Sequence, residues 1–142
     1  ISLSSRGLLR EISDPKKKIN LYARASLIAR TEMAQAQNTG QKAGLVSLGQ
    51  RYKQWSANPS DGGRGHQDLD GVIIPIDEKF KIRDGAKTVY LDRPGDPRAP
   101  IGHTANCRCS LVIPSRRRVK EEDRKRGINT AEADRAALAG VK

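Results

Sequence analysis

The chain has 142 residues, a formal net charge of +11, and one Trp, one Phe and three Tyr. This length accommodates one modest domain with extensions, and so few aromatic side chains predict a small core of Val, Ile, Leu and Ala. There is no run of about 20 apolar residues and no apolar signal segment, so we predict neither a membrane span nor secretion. The chain starts at Ile1 rather than Met, which predicts a processed product or the ordered part of a longer protein.

The positive charge is concentrated toward the two ends of the chain. Residues 1–30 carry a net charge of +5 and residues 115–142 carry +4, whereas residues 31–114 carry only +2. This distribution predicts a near-neutral folded centre whose basic extensions contact nucleic acid or an acidic protein surface. The alternative is that these charged side chains only form solvated helix faces and bind no partner.

A long amphipathic helix is predicted from Lys16 to Asn38. Asp14 can cap it, and Gly40 is a plausible stop, with a weaker helical turn or two from Gln41 to Leu48. The predicted apolar face recurs at intervals of three and four residues. It comprises Ile19, Tyr22, Ala23, Ala29, Met33 and Ala36.

Short β-rich segments follow the helix, separated by Gly, Pro and Asp. The predicted strands are Arg51–Ser56, Val72–Ile76, Lys87–Leu91 and Arg108–Ile113. The Pro-rich segment Asp92–Pro100 is predicted to be an extended surface loop. Together these elements predict an α+β fold in which the long N-terminal helix packs on a small antiparallel sheet, with a loop-rich middle.

The end of the chain is predicted to be a basic helical extension. Ser115–Arg126 is strongly charged, and Asn129 with Glu132 forms a capping pair for a helix that reaches Ala139. We therefore divide the chain into an N-terminal basic extension (1–14), a central domain (15–114) and a basic helical tail (115–142).

The two histidines and two cysteines lie where they could form a metal site. Cys107 and Cys109 are two residues apart, so in an extended segment both thiols point to one side. His103 could reach back in a turn and His66 could supply a fourth ligand, which would complete one structural zinc site. Alternatively, the cysteines are small buried hydrophobic residues and His66 bonds Asp70 or Asp61, or the thiols form a strained or intermolecular disulfide.

A catalytic interpretation is also open, because His66 lies near several carboxylates that could support general base or hydrolytic metal chemistry. No phosphate-binding loop, zinc-protease motif or nucleophile elbow completes such a site. We therefore predict no catalytic residues. Asp61, Arg64 and Asp70 are expected to brace the loop.

Several of these features, in this order, resemble the phage head morphogenesis family typified by the Mu F protein, the minor head proteins of tailed phages. The resemblance covers about Ala23 to Ile113. Its matching positions are Ala29 to Glu32, Asn38 to Gly40, Trp55, Asp61, Arg64, His66, Leu69 to Gly71, Pro75 to Phe80, and Asn106 to Cys109.

The resemblance implies a non-enzymatic virion protein, located inside the phage head near the portal and in the host cytoplasm during assembly. The implied partners are the portal protein, other head proteins and viral DNA bound without sequence specificity; no membrane or small-molecule substrate is expected. The basic side chains would then contact DNA phosphates or the portal. These candidates are Lys16, Lys17, Lys18, Arg116, Arg117, Arg118, Lys120, Arg124, Lys125 and Arg126. The alternative function is a zinc-dependent nucleic-acid-processing enzyme or toxin module.

Overall fold

A computed structural model describes residues 15–59, 65–105 and 107–140, with side chains described from residue 21 onward. A long helix comes first, five short strands with two short helical turns follow, and two helices end the described chain. They are α1 (Pro15–Ser47), β1 (Tyr52–Ser56), a 3-10 helix (His66–Leu69), β2 (Ile73–Pro75), β3 (Phe80–Asp84), β4 (Lys87–Leu91), the short α2 (Ile101–Thr104), β5 (Ser110–Val112), α3 (Arg116–Arg126) and α4 (Thr130–Ala139). The predicted α+β fold, with its long N-terminal helix and C-terminal helices, is confirmed.

The strands form two small antiparallel sheets. The first has the order β2-β1-β5, with Trp55 opposite Leu111, and the second is the β3-β4 hairpin. Lys87–Leu91 was predicted with its observed bounds. Strand β3 was missed, although Phe80 and Ile82 are buried and alternate with exposed residues as in a half-buried strand.

Helix α1 continues beyond its predicted stop. Gly40 and Gly44 lie within it, and it ends where Gly49 adopts a left-handed conformation with φ of 69°. Each internal glycine costs roughly 1 kcal/mol relative to alanine. Tertiary anchors on this part of the helix offset that cost: Leu45 lies in the core and Asn38 bonds to the β5 backbone.

The predicted apolar face of α1 is wrong in position. Tyr22 and Met33 are 66% and 72% exposed, whereas Asn38 and Leu45 are the buried residues among the α1 side chains that the structure describes, from residue 21 onward. Within this described part, it is the C-terminal portion of α1 that packs on the sheet. Periodicity identified the helix correctly, but it could not show which part of a 33-residue helix has a partner.

The main core lies between β1, the β3-β4 hairpin and the segment that leads into β5. Its buried residues are Leu45, Trp55, Leu69, Phe80, Ile82, Leu91, Cys107, Cys109 and Leu111. The predicted surface loop from Asp92 to Pro100 is irregular as expected, but Asp92 and Asp96 are buried against the domain. The composition of this segment correctly indicated an irregular backbone. An irregular segment can nevertheless be buried when side chains form hydrogen bonds with its backbone polar groups.

Helices α3 and α4 are joined by the predicted cap. The Asn129 side chain accepts a hydrogen bond from the Glu132 backbone N–H, and α4 ends at Ala139 as predicted. None of the helices in the described part of the chain is long and apolar enough to cross a membrane.

Candidate metal centre and cationic surface

Three distant chain segments converge on one buried cluster. Gly65, which has φ of 76°, turns the chain so that the 3-10 helix begins at His66. Cys107 and Cys109 lie in the extended segment that precedes β5. All three side chains are at most 2% exposed.

The distances in this cluster fit a tetrahedral metal. His66 Nδ1 lies 3.7 Å from the Sγ atoms of both Cys107 and Cys109, and all three ligand atoms lie within 4.8 Å of one another. Zinc bonds to sulfur and imidazole nitrogen at tetrahedral angles place the two ligand atoms about 3.6 Å apart. The soft thiols and the imidazole therefore form a donor set that suits zinc.

His103 lies on the other side of the His66 ring. Its Nδ1 is 3.3 Å from His66 Nε2, and the two rings are stacked with centroids 5.5 Å apart. Its Nε2 is 3.0 Å from Asp84 Oδ2 at the end of β3. Of the four predicted ligands, the structure thus brings His66, Cys107 and Cys109 to one point and places His103 behind His66.

Trp55 packs against the imidazole of His66, which is wholly buried. The Trp55 ring packs edge-on against His66 and Phe80, with centroid distances of 5.6 and 5.1 Å. The indole N–H of Trp55 is buried without a hydrogen-bond partner in the part of the chain that the structure describes. Trp55 therefore contributes packing rather than hydrogen bonding, and it lies close enough to report on this site.

Asn38 fixes the cysteine segment against α1. Its Nδ2 donates to the Cys109 carbonyl at 3.2 Å, and its Oδ1 accepts from the Leu111 N–H at 2.8 Å. Asn38 is not part of the predicted apolar face, and its role was missed from the sequence. The sequence did contain a signal for this role, since Asn38 belongs to the Asn38 to Gly40 block of the family resemblance. An Asn side chain can bond one backbone N–H and one backbone carbonyl at the same time.

The predicted loop residues are only partly described. Asp61 and Arg64 lie outside the described residues. The Asp70 carboxylate accepts a hydrogen bond from the Ala57 N–H at 2.9 Å, which ties the turn after the 3-10 helix to the end of β1. Both His66 nitrogens face the thiols and His103, so the structure does not contain the considered bond from His66 to Asp70.

A second polar cluster, also missed from sequence, anchors the loop that begins at Asp92. The wholly buried ammonium of Lys53 donates to Asp92 Oδ1 at 2.9 Å, and Lys42 contacts both carboxylate oxygens at 2.7 Å. Burial alone would raise the pKa of Asp92, but hydrogen bonds from Lys42, Lys53 and Arg93 lower it from 3.8 to about 2. Burial lowers the pKa of Lys53. The cluster joins α1, β1 and the loop.

An ionic network docks α3 and α4 on β1. Arg51 donates to both oxygens of Asp123 at 2.6 Å, and the Tyr52 hydroxyl donates to the same carboxylate at 2.6 Å. These donors, Arg51 first, hold the pKa of the Asp123 carboxyl well below its usual range despite burial. Arg51 also contacts Asp134 of α4. Two acidic residues of the otherwise basic C-terminal helices, Asp123 and Asp134, thus attach these helices to the rest of the domain.

The predicted DNA- or portal-binding residues differ in their surroundings. Lys16, Lys17 and Lys18 lie on α1, but their side chains are outside the described part. Four of the α3 cations have partners in the chain: Arg116 pairs with Asp134, Arg118 bonds the Gly71 carbonyl, and Lys125 and Arg126 pair with Glu122.

The other three cations of α3 form an exposed stripe. Arg117, Lys120 and Arg124 are exposed and have no ion pair among the residues that the structure describes. Their spacing of three and four residues places them on one helix face, which is not the face that buries Val119 and Asp123. We call these three residues the α3 stripe.

The fold and the site together define a small α+β domain built around a buried histidine and cysteine cluster. The chain belongs to the family described as Phage Mu protein F like protein, whose model matches residues 8–112, so the predicted family membership is confirmed. It is 37% identical over 117 residues to the minor head protein GP7 of Bacillus phage SPP1, covering 71% of this chain and 35% of GP7.

A second relative is the uncharacterized protein YqbB of Bacillus subtilis (strain 168), which is 30% identical over 92 residues. That match covers 62% of this chain and 30% of YqbB. The chain thus spans about a third of the length of these two curated relatives. No solved structure matches the chain.

Proposed function

We propose that this chain is part of a non-enzymatic minor head protein of a tailed phage, associated with the portal vertex and aiding head assembly and genome packaging or ejection. The observation that carries the proposal is the extent of the family match. Residues 8–112 include both sheets, Asn38 and the whole histidine and cysteine cluster. The name of GP7, a minor head protein, supports the same role.

Its proposed location is the interior of the phage head near the portal, with the host cytoplasm as the site of assembly. Cross-linking mass spectrometry of purified particles tests this, with Lys120 and Lys125 as reactive groups on α3. We expect peptides of this protein in the particles, cross-linked to the portal protein or other head proteins. Particles that lack the protein altogether would contradict the proposal.

The α3 stripe is the proposed contact surface for DNA or the portal, together with Lys16, Lys17 and Lys18. Its cations are not neutralised by ion pairs among the described residues, so they can displace counterions from phosphates. Each phosphate that a cation neutralises makes the slope of log affinity against log salt more negative by about 0.9. Binding without sequence specificity and with a steep salt dependence is therefore expected.

A charge-reversal experiment tests this surface. The variant Arg117→Glu, Lys120→Glu, Arg124→Glu should weaken DNA binding and reduce the salt slope by roughly 0.9 for each phosphate that is no longer neutralised. The control reverses three exposed lysines of the β3-β4 region, Lys79, Lys81 and Lys87, and has the same net charge. Equal weakening by both variants would show an effect of net charge alone. Unchanged DNA binding with loss of portal capture would assign the stripe to the portal.

We further propose that the cluster holds one structural zinc ion through His66, Cys107 and Cys109. A bound zinc would supply cross-links between segments of the chain that its small apolar core holds only weakly. Elemental mass spectrometry of the purified protein should give about one zinc per chain, and chelation should lower the unfolding temperature. Absence of metal, with no effect of chelator on unfolding, would leave the cysteines as packing residues.

One observation favours the alternative function. Three protein ligands leave a fourth position, as in catalytic zinc sites, and this would suit a zinc-dependent nucleic-acid-processing enzyme or toxin module. The complete burial of His66 opposes that function, because a substrate must reach the metal. Metal-dependent cleavage of DNA or RNA by the wild type, lost in a folded His66→Ala variant, would favour the enzyme.

A further inference from the structure

His103 and Asp84 form a line of polar groups that leads from the protein surface to the proposed metal site. Asp84 Oδ2 lies 3.0 Å from His103 Nε2, and His103 Nδ1 lies 3.3 Å from His66 Nε2. His66 Nδ1 then faces the two thiols at 3.7 Å. Every ring nitrogen in this line therefore faces one partner or one set of partners.

We infer that His103 and Asp84 are positioning residues that hold His66 in the tautomer and orientation required for metal binding, and that His103 is not itself a ligand. This inference rests on the metal site in the proposed function. It assigns His103 a role different from the one that the count of histidines and cysteines predicts.

The direction of each hydrogen bond follows from the metal. A metal on His66 Nδ1 excludes a proton there, so the neutral ring carries its proton on Nε2. That N–H must donate to His103 Nδ1, which leaves the proton of a neutral His103 on Nε2. The His103 N–H then donates to Asp84, whose carboxylate is an acceptor. Thus each N–H donor in the line faces an acceptor, from His66 to His103 and from His103 to Asp84.

The same geometry opposes direct ligation by His103. A ligand that shared the metal with His66 would face Nδ1 of His66, where the thiols lie. His103 instead faces Nε2, on the other side of the imidazole ring. Metal-binding histidines usually donate their second ring N–H to an acceptor of this kind, and loss of such a partner typically weakens metal binding 10- to 100-fold.

The different burial of His103 and Asp84 predicts that the two residues contribute unequally to metal affinity. The side chain of His103 is 7% exposed, whereas that of Asp84 is 65% exposed at the tip of the β3-β4 hairpin. Water can replace much of what Asp84 supplies, but it cannot easily replace the buried acceptor of His103. We therefore expect the larger loss of metal affinity from substitution of His103.

Cobalt titration of the full chain tests the inference, since tetrahedral Co²⁺ absorbs visibly and its bands report the ligands. His103→Ala should weaken Co²⁺ binding roughly 10- to 100-fold, while His103→Asn, which keeps an acceptor near the Nδ1 position, should recover most of the affinity. Asp84→Ala should cause a smaller loss, and Asp77→Ala, another exposed aspartate, none. The Co²⁺ absorption bands should be unchanged in all four variants.

Two outcomes would overturn the inference in different ways. If His103→Ala and His103→Asn both shift the absorption bands, His103 is a ligand and the metal site itself remains. If the wild type binds no Co²⁺ or Zn²⁺, the proposed metal site fails and the inference fails with it.

Nuclear magnetic resonance of the zinc-loaded wild type gives a check that needs no variant. Because the chain has only two histidines, long-range proton–nitrogen correlations assign both tautomers. We expect Nδ1 bound to metal and Nε2 protonated in His66, with Nδ1 unprotonated and metal-free in His103. A metal-bound nitrogen in His103 would refute the positioning role.

Discussion

Substitution of Asn38 by Ala tests the link between α1 and the cysteine segment. It removes two hydrogen bonds, of 3.2 Å to the Cys109 carbonyl and 2.8 Å to the Leu111 N–H. Each backbone group left buried without a partner costs about 1–3 kcal/mol, and the higher helix propensity of Ala returns roughly half a kcal/mol. We expect a net loss of about 1.5–5.5 kcal/mol, a large part of the 5–15 kcal/mol typical of a domain.

Urea unfolding followed by fluorescence measures this loss directly. Trp55 is the only tryptophan, lies wholly buried in the core and pairs with Leu111 across the sheet, so its emission reports on the affected region. Gln41→Ala is the control, because Gln41 is an exposed residue of the same helix and its removal should change stability by less than about 0.5 kcal/mol. If Asn38→Ala costs no more than this control, Asn38 does not anchor the segment.

Three further predictions concern other positions that hold the fold together. Gly65→Ala should destabilise the domain by more than about 1–2 kcal/mol in urea unfolding, because the added Cβ meets Ile82 Cγ2 at 2.8 Å in a left-handed backbone. A loss below that range would show that the loop adjusts at little cost. Asp92→Asn should cost roughly 3–5 kcal/mol by leaving the buried Lys53 charge without its partner. The pKa of Asp92 is lowered from 3.8 to about 2. The contribution of Asp92 to the free energy of unfolding of the wild type should therefore be fully present above pH 4, and up to about 2 kcal/mol of it should be lost between pH 4 and pH 2. An unchanged acid dependence in Asp92→Asn would contradict the assignment. Asp123→Asn should release α3, seen as faster hydrogen exchange of its amides with little change in the β3-β4 hairpin; uniform change throughout the domain would contradict local docking.

Local chemistry in the sequence was sufficient to predict several elements. The helix that includes Lys16–Asn38, the strand Lys87–Leu91 and the cap at Asn129 follow from periodicity, β-branched residues and capping preference, which act between near neighbours. The spacing of Cys107 and Cys109 likewise predicted that both thiols reach one point. These properties need no knowledge of the rest of the fold.

The missed features depend on contacts between distant segments. Asn38, Lys53 and Asp92 are polar, so a hydrophobic pattern assigns them to the surface, yet each is buried and bonds a partner that lies 39 or more residues away. The role that we propose for His103 would show the same limit. Counting ligands could bring His103 to the site, but only the arrangement of both ring nitrogens distinguishes a ligand from a residue that orients a ligand.

Buried polar contacts decide how the long helix and the irregular loops meet the two small sheets. Apolar packing alone would leave this arrangement weakly specified, since the core contains one Trp, one Phe and a few aliphatic residues, and since much of α1 is exposed. An amide that bonds one carbonyl and one N–H, or a lysine that bonds one carboxylate, is compatible with far fewer packing arrangements of the chain than a methyl group is. A metal at His66 would act in the same way, because only the folded chain brings this imidazole to thiols 41 and 43 residues away. Metal binding would then stabilise the fold by mass action, by about 1.4 kcal/mol for each tenfold excess of free metal over its dissociation constant.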